Sequence, residues 1–580
     1  MKFFIGLLSV LMFISCKQET KKLKTDFQTH FENTNGEETP TYENVIAFYT
    51  RLSKAFPEIN IQAIGETDSG FPLHLITYNI DGVFDFDTLS KEKITLLINN
   101  GIHPGESDGI DATMMLFRDL AFNKTEAPKN TVISTIPIYN IGGALNRNSG
   151  TRTNQNGPKE YGFRGNAQNY DLNRDFIKND TKNANAFAQI FHLVQPDIFI
   201  DNHVSNGADY QYTLTHLFTQ HNKLGGELGN YLHTQMMPTL EKELAADQWD
   251  ITPYVNVFNS VPEKGFSQFM DHPRYSTGYT TLWNTLGMMV ETHMLKPYKQ
   301  RVEGTYILMQ KMLKIAEKDG KKIKELRKNA FEQFQNSKEY TLQWQLDTTK
   351  TATLNFKGFE GEMIPSEVTG QKRLKYDRSK PFTKKVIYRN YMKPSVSVEV
   401  PDAYIIPKGW HKVVSLLELN NIKHKILEKD TLITVESYKI EDYRTRPSAY
   451  EGHYLHSNTK VFKNTKKMQF FKGDIYVSTQ QKGFRYLLET LEPEAPDSLF
   501  NWNFFDTVLQ QKEGFSPYVF EDVALKMLQT NAKLKTEFNL KKENDERFAN
   551  NWYAQLDWLH KKSDHYEPAH MQYPIYRVMK

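Results

Sequence analysis

Residues 93–106 read Lys-Ile-Thr-Leu-Leu-Ile-Asn-Asn-Gly-Ile-His-Pro-Gly-Glu. The run 94–98 is apolar apart from Thr95 and does not alternate, and Asn-Asn-Gly ends it. That pattern predicts a strand covered on both faces, hence a sheet of the parallel kind with helices on each side. The turn after the strand carries His103 and Glu106. An imidazole and a carboxylate separated by two residues can close on one face of a metal ion, provided a third ligand arrives from elsewhere. Alone, the pair reads as easily as a turn histidine and a solvated glutamate.

Working outward, further strands are expected at 73–78, 132–139, 198–201 and 288–291, several of them continuous apolar runs. Helical patterns lie between them at 108–123, 183–194 and 224–246, and from 298 into a Lys-rich stretch near 311–336. Strands alternating with helices predict an α/β domain with a mixed, mostly parallel central sheet and helices on both faces. Ligands bind outside the carboxyl ends of strands in such sheets. His103, His203 and Glu291 each stand at or just after a predicted strand. Glu291 follows the apolar run 286–290, where an unpaired carboxylate is costly unless it works as a base. His293, on the same strand face, reads as a packing residue or as one that supports the site from behind.

Residues 164–176 read Arg-Gly-Asn-Ala-Gln-Asn-Tyr-Asp-Leu-Asn-Arg-Asp-Phe. Here the chain resembles the zinc metallocarboxypeptidases, the family of the A/B and N/E/D types, whose regulatory branch carries a run of the form R-x-N-A-N-G-x-D-L-N-R-N-F. His103/Glu106, His203 and Glu291 follow that family's order, and the resemblance covers roughly residues 40–330. It implies that His103, Glu106 and His203 hold one Zn2+, that Asp171 orients the first histidine, and that Asn173 and Arg174 grip a peptide's terminal carboxylate. A planar guanidinium suits that grip because it meets a carboxylate with two parallel bonds. The resemblance further implies Arg164 as the residue polarising the scissile carbonyl and Glu291 as general base toward a zinc-activated water. The family's substrate-closing tyrosine falls on Tyr275 or Tyr279; Tyr279, about a dozen residues before Glu291, is the better match. Three departures stand out. Asp175 replaces an Asn beside the clamp, Val204-Ser205-Asn206 follows His203, and the polar loop 140–160 adds Arg147 and Arg152 at an expected rim.

The 580-residue length predicts several domains. We expect 1–15 to be a signal peptide, 16–36 a lipid-anchored tether and 37–340 the catalytic domain. A β-rich domain at 341–455 and a mixed α/β region at 456–580 complete the chain. The segment 491–505, dense in aromatics, reads either as a packing contact between domains or as a cap over substrate. Met1-Lys2, the apolar run 3–14 and Ser15-Cys16 describe an export signal, and 14–16 resembles the lipobox of bacterial lipoproteins, with Phe13 where Leu is usual. The expected location is therefore the bacterial cell envelope, anchored to the membrane at Cys16. Cys16 is the single cysteine, which excludes an intrachain disulfide. With 72 basic and 69 acidic residues, the balance offers no case for nucleic acid as a partner.

These readings favour a zinc-dependent metallocarboxypeptidase that acts on peptide or protein C-termini. One alternative is a zinc amidase or peptidase acting on cell-wall (peptidoglycan) peptides. The other is a catalytically degenerate surface-binding lipoprotein, which a complete set of ligands and base disfavours.

Overall fold

Eight strands form the central sheet of the computed structural model, which describes residues 27–579. The expected signal peptide and Cys16 lie outside the described residues. In chain order the strands are β1 (Ile59–Glu66), β2 (Pro72–Tyr78), β3 (Ile94–Asn99), β4 (Thr131–Ile136), β5 (Ile198–Ser205), β6 (Leu214–Phe218) and β7 (Ile251–Pro253). The short β8 (Phe266–Ser267) joins another sheet, and β9 (Leu286–His293) returns to the centre. The sheet order is β1-β2-β4-β3-β5-β9-β6-β7. Its middle, β4-β3-β5-β9, is parallel throughout, while β1, β2 and β6 enter antiparallel. Every residue of β3, β4 and β5 is buried, which is why their sequences lack alternation.

Helices cover both faces. Asp108–Ala121 and the long Tyr298–Gln335 pack against each other and against the sheet. Lys182–Val194, whose first turn is capped by the Thr181 side chain accepting from the Ala184 N–H, leads directly into β5. The helical pattern expected over 224–246 is broken into Gly226–Tyr231, a π-turn at Leu232–Met236, and Met237–Ala246.

Two expected boundaries are corrected. The tether reading of 16–36 does not hold from residue 27 onward. Phe27 packs edge-on against Phe48, Phe56 and Phe122, and Phe31 packs against Tyr298. Fully burying such a ring contributes about 1.5–3 kcal/mol, enough to outweigh the polar residues around it. The border drawn between 455 and 456 falls inside a hairpin, because Thr431–Thr445 pairs antiparallel with His456–Phe470. These strands belong to a six-stranded sheet drawn from both sides of that border and completed by Tyr576–Val578. Tyr404, Leu417 and Tyr573 from this later part share one buried cluster with Leu96 and Ile200 of the central sheet. The later residues are thus packed onto the half that carries the central sheet and are not strung behind it. Leu499, Phe500, Trp502 and Phe505 are fully buried, so 491–505 is a packing segment. A long hairpin, Ala352–Pro365 with Lys372–Arg389, meets the parallel β8 at its far strand. Among the described residues no helix is long and apolar enough to cross a membrane.

Candidate metal centre

His103 and Glu106 lie in the turn that leaves the carboxyl end of β3, closed by the Glu106 N–H donating to the His103 carbonyl at 2.8 Å. His203 stands in β5, the next strand over. The Nδ1 atoms of both histidines face the Glu106 carboxylate at 3.2 Å, His103 toward Oε1 and His203 toward Oε2. All three side chains are buried, and their donor atoms lie within 4.8 Å of one another. The outer ring nitrogens are each held by an acid: His103 Nε2 by Asp171 Oδ1 and His203 Nε2 by Asp201 Oδ2, both at 2.9 Å. An acid on Nε2 keeps the proton there and leaves the Nδ1 lone pair for a cation. His103 Nδ1 has no hydrogen-bond partner although it is buried, which a metal would remedy. Two imidazoles and one carboxylate form a donor set that suits zinc.

The electrostatics agree. Burial works to raise the Glu106 pKa, but Arg152 and His103 outweigh it and hold the carboxyl well below its usual range. Burial likewise opposes charge on His203, yet Asp201 and Glu106 pull its pKa well above the ordinary imidazole value. Carboxylates at both ring nitrogens of His203, partly offset by Arg152 and Arg164 beside Glu106, favour positive charge at that ring. Asp201, two residues before His203 on the same strand face, was missed in the sequence, although its Asp-x-His spacing is a legible signal. It is saturated by Asn99 Nδ2 at 3.1 Å, His203 and the Ser276 hydroxyl.

Glu291 is the Cα partner of His203 across the β5–β9 pair. It keeps partial exposure. Burial by the surrounding protein and the neighbouring Glu106 push its pKa up to about 7, against the pull of His203 and Arg164.

Asp171 lies where the sequence placed it. Its Oδ2 also meets Arg164 Nη2 at 2.9 Å, and Arg164 Nη1 stands 3.5 Å from Glu106. Burial tends to raise the Asp171 pKa, but His103 and Arg164 hold it far below the usual range. Asn173 and Arg174 follow in a single 3-10 turn, Leu172–Arg174, capped by Asp171. Arg174 lies over the Tyr275 ring, 4.6 Å from its centroid. Asp175 does not add free charge beside Asn173 and Arg174: it is fully buried, paired with Lys178 at 2.7 Å, and accepts from the Thr181 N–H and hydroxyl.

Three readings of the sequence change here. Tyr279 is fully buried, its hydroxyl donating to Asn420 Oδ1 at 2.6 Å and meeting His192 Nε2 at 3.2 Å, so it does not face the cleft. A spacing to Glu291 could not reveal this, because the helix Ser276–Thr281 turns the side chain into the core. Tyr275 is tied to Arg174, and Tyr254 stands in the field of Glu291, Glu106 and Arg164; burial and the Glu291 carboxylate raise its phenol pKa. No sequence signal marked Tyr254. Arg152 is not a rim residue: its Nη1 donates to Glu106 Oε1 at 2.8 Å. Gly105 permits this, since a Cβ there would stand 2.6 Å from Arg152 Cδ. Arg147 is used on the Pro40 and Thr39 carbonyls. His293, as expected, packs, its ring against Tyr210.

No family model matches the chain. Carboxypeptidase 2 of Trichophyton rubrum is 21% identical over 442 residues, a match spanning 70% of this chain and 73% of the fungal protein. Similar solved structures include a metallo-carboxypeptidase from Burkholderia cenocepacia (15% identity, 48% of this chain, 69% of that one, TM-score 0.36). The carboxypeptidase A from Helicoverpa armigera is another (14% identity, 49% and 75% coverage, TM-score 0.38).

Proposed function

We propose that this carboxypeptidase-like chain is a zinc metallocarboxypeptidase that removes residues from peptide C-termini. The observation that carries the reading is the pairing of His203 with Glu291 on adjacent strands, one a candidate ligand and the other a partly exposed carboxylate of raised pKa. Around it, His103, Glu106 and His203 would hold zinc, which when bound supplies Lewis acidity toward water and the scissile carbonyl. Glu291 takes the proton of the attacking water and returns it to the leaving amine. Arg164, half-exposed beside Glu106 and Asp171, stabilises the oxyanion that develops on the carbonyl. Asn173 and Arg174 bind the terminal carboxylate, and Arg174 is braced for this by the Tyr275 ring. Export and lipid attachment at Cys16 are supported by residues 1–17 of the sequence alone.

The test is incubation of the zinc-loaded protein with mixed peptides and with muropeptides, read by mass spectrometry. Stepwise loss of C-terminal residues from ordinary peptides is expected. Cleavage confined to muropeptides would move the substrate to the cell wall, and no cleavage of either would sink the reading.

A further inference from the structure

Asp171 supports both halves of the site. Its Oδ1 receives His103 Nε2 at 2.9 Å and the Asn173 N–H at 3.0 Å, and its Oδ2 faces Arg164 and lies 3.9 Å from Arg174. The turn is closed by the Arg174 N–H donating to the Asp171 carbonyl at 3.0 Å, and it gains a further backbone tie from outside. The Asp171 N–H donates to Glu451 Oε2 at 2.8 Å, from a loop far along the chain. That loop joins Thr431–Thr445 to His456–Phe470.

Glu451 has φ +49°, in the left-handed region, and Gly452 follows at +80°. A non-glycine residue keeps such a conformation only where its surroundings hold it there. Gly452 is pressed against Tyr170, and a Cβ on it would stand 2.6 Å from the Tyr170 hydroxyl. The loop is nevertheless anchored without Glu451. His453 Nε2 lies 2.7 Å from Asp180 Oδ2, and the Tyr450 ring stacks on Trp502. Arg274, paired with Asp497 at 2.7 Å, faces both rings. The hydrogen bond that the Glu451 side chain accepts is thus directed at the clamp turn and is not what docks the loop.

We propose that Glu451 is a positioning residue for the terminal-carboxylate clamp, holding the Asp171–Arg174 turn from the C-terminal part of the chain. The inference rests on the carboxypeptidase reading above. Without the acceptor, the Asp171 N–H loses its partner, and the short turn, still tied through the Asp171 side chain, is held less firmly, so Asn173 and Arg174 meet the substrate carboxylate less well.

The test uses the full-length chain and a peptide with a free C-terminal carboxylate. Glu451→Ala is expected to raise KM about tenfold, with a smaller change in kcat and an unchanged zinc content. Glu451→Gln keeps an acceptor oxygen and is expected to stay within about twofold of the parent. That rescue, and the split between KM and kcat, are not expected from a general loss of structure. Should Glu451→Ala not be recovered folded, Glu451→Met fills the same space without an acceptor and decides the matter. An unchanged KM in the Ala or Met variant, or a Gln variant as impaired as the Ala, overturns the inference while leaving the carboxypeptidase reading standing. A parent protein that hydrolyses no peptide overturns both.

Discussion

His203 and Glu291 are opposite one another on neighbouring parallel strands, so the candidate ligand and the candidate base are set by one hydrogen-bonded ladder. Neither depends on a mobile loop for its spacing. A base positioned this way is expected to respond sharply to its own chemistry and little to distant changes.

Glu291→Gln is therefore expected to reduce kcat by more than about a hundredfold while zinc content, measured by elemental analysis, stays at one per chain. The carboxyl works only when ionised, and in the metal-free site burial holds its pKa near about 7. A bound cation draws that value down, so kcat/KM should fall with decreasing pH on the acid side of neutral. Rates that stay flat from pH 5 to pH 8 would remove Glu291 from this role.

Asp171 and Asp201 hold the outer nitrogens of the two histidines, each at 2.9 Å. Asp201→Asn and Asp171→Asn are expected to lower zinc affinity by roughly 10–100-fold, as competition with a chromophoric chelator would show. Zinc should raise the Tm of the parent protein more than that of either variant at the same metal concentration.

The fully buried Tyr279 and the partly exposed Tyr254 separate cleanly. Tyr279→Phe loses the hydrogen bond to Asn420, and is expected to cost about 1 kcal/mol of stability with kcat/KM unchanged. Tyr254→Phe should lower kcat/KM with little effect on Tm. The opposite pattern in denaturation and kinetics would restore Tyr279 to the cleft.

Asp271 is fully buried, and neither of its oxygens accepts a well-formed hydrogen bond among the described residues. Burial pushes its pKa up to about 6, opposed by Lys223 and Thr277. An acid whose folded pKa is raised contributes stability that is fully present below its unfolded pKa near 4 and is lost as pH rises through about 6. A displacement of about two pH units corresponds to about 3 kcal/mol. Denaturant unfolding of the parent should weaken between pH 4 and pH 7, and Asp271→Asn should flatten that dependence.

The parts of this protein legible from the chain are those with a local cause. Largely apolar runs such as 94–98 mark strands buried on both faces, and the turn after β3 displays His103 and Glu106 because a parallel strand must end in a loop. The match of 164–176 to a known pattern pointed to Asp171, Asn173 and Arg174, and the structure brings Asp171 beside His103 with the other two in the same short turn. Asp201 was overlooked, although its alternation with His203 could have shown it.

What no local pattern could show are relationships between distant segments. Tyr279 and Tyr275 differ in their surroundings, not in their spacing to Glu291, and only the packing of Asn420 and His192 onto Tyr279 decides between them. Arg152 reads as a rim residue until Gly105 lets it reach Glu106. Glu451 reads as a turn residue until its loop meets Asp171. Strand identity and ligand type follow from local periodicity and donor chemistry, which a sequence carries in full. Which side chains share a cleft depends on how helices, hairpins and the later sheet close one buried core, and that closure is a property of the whole chain.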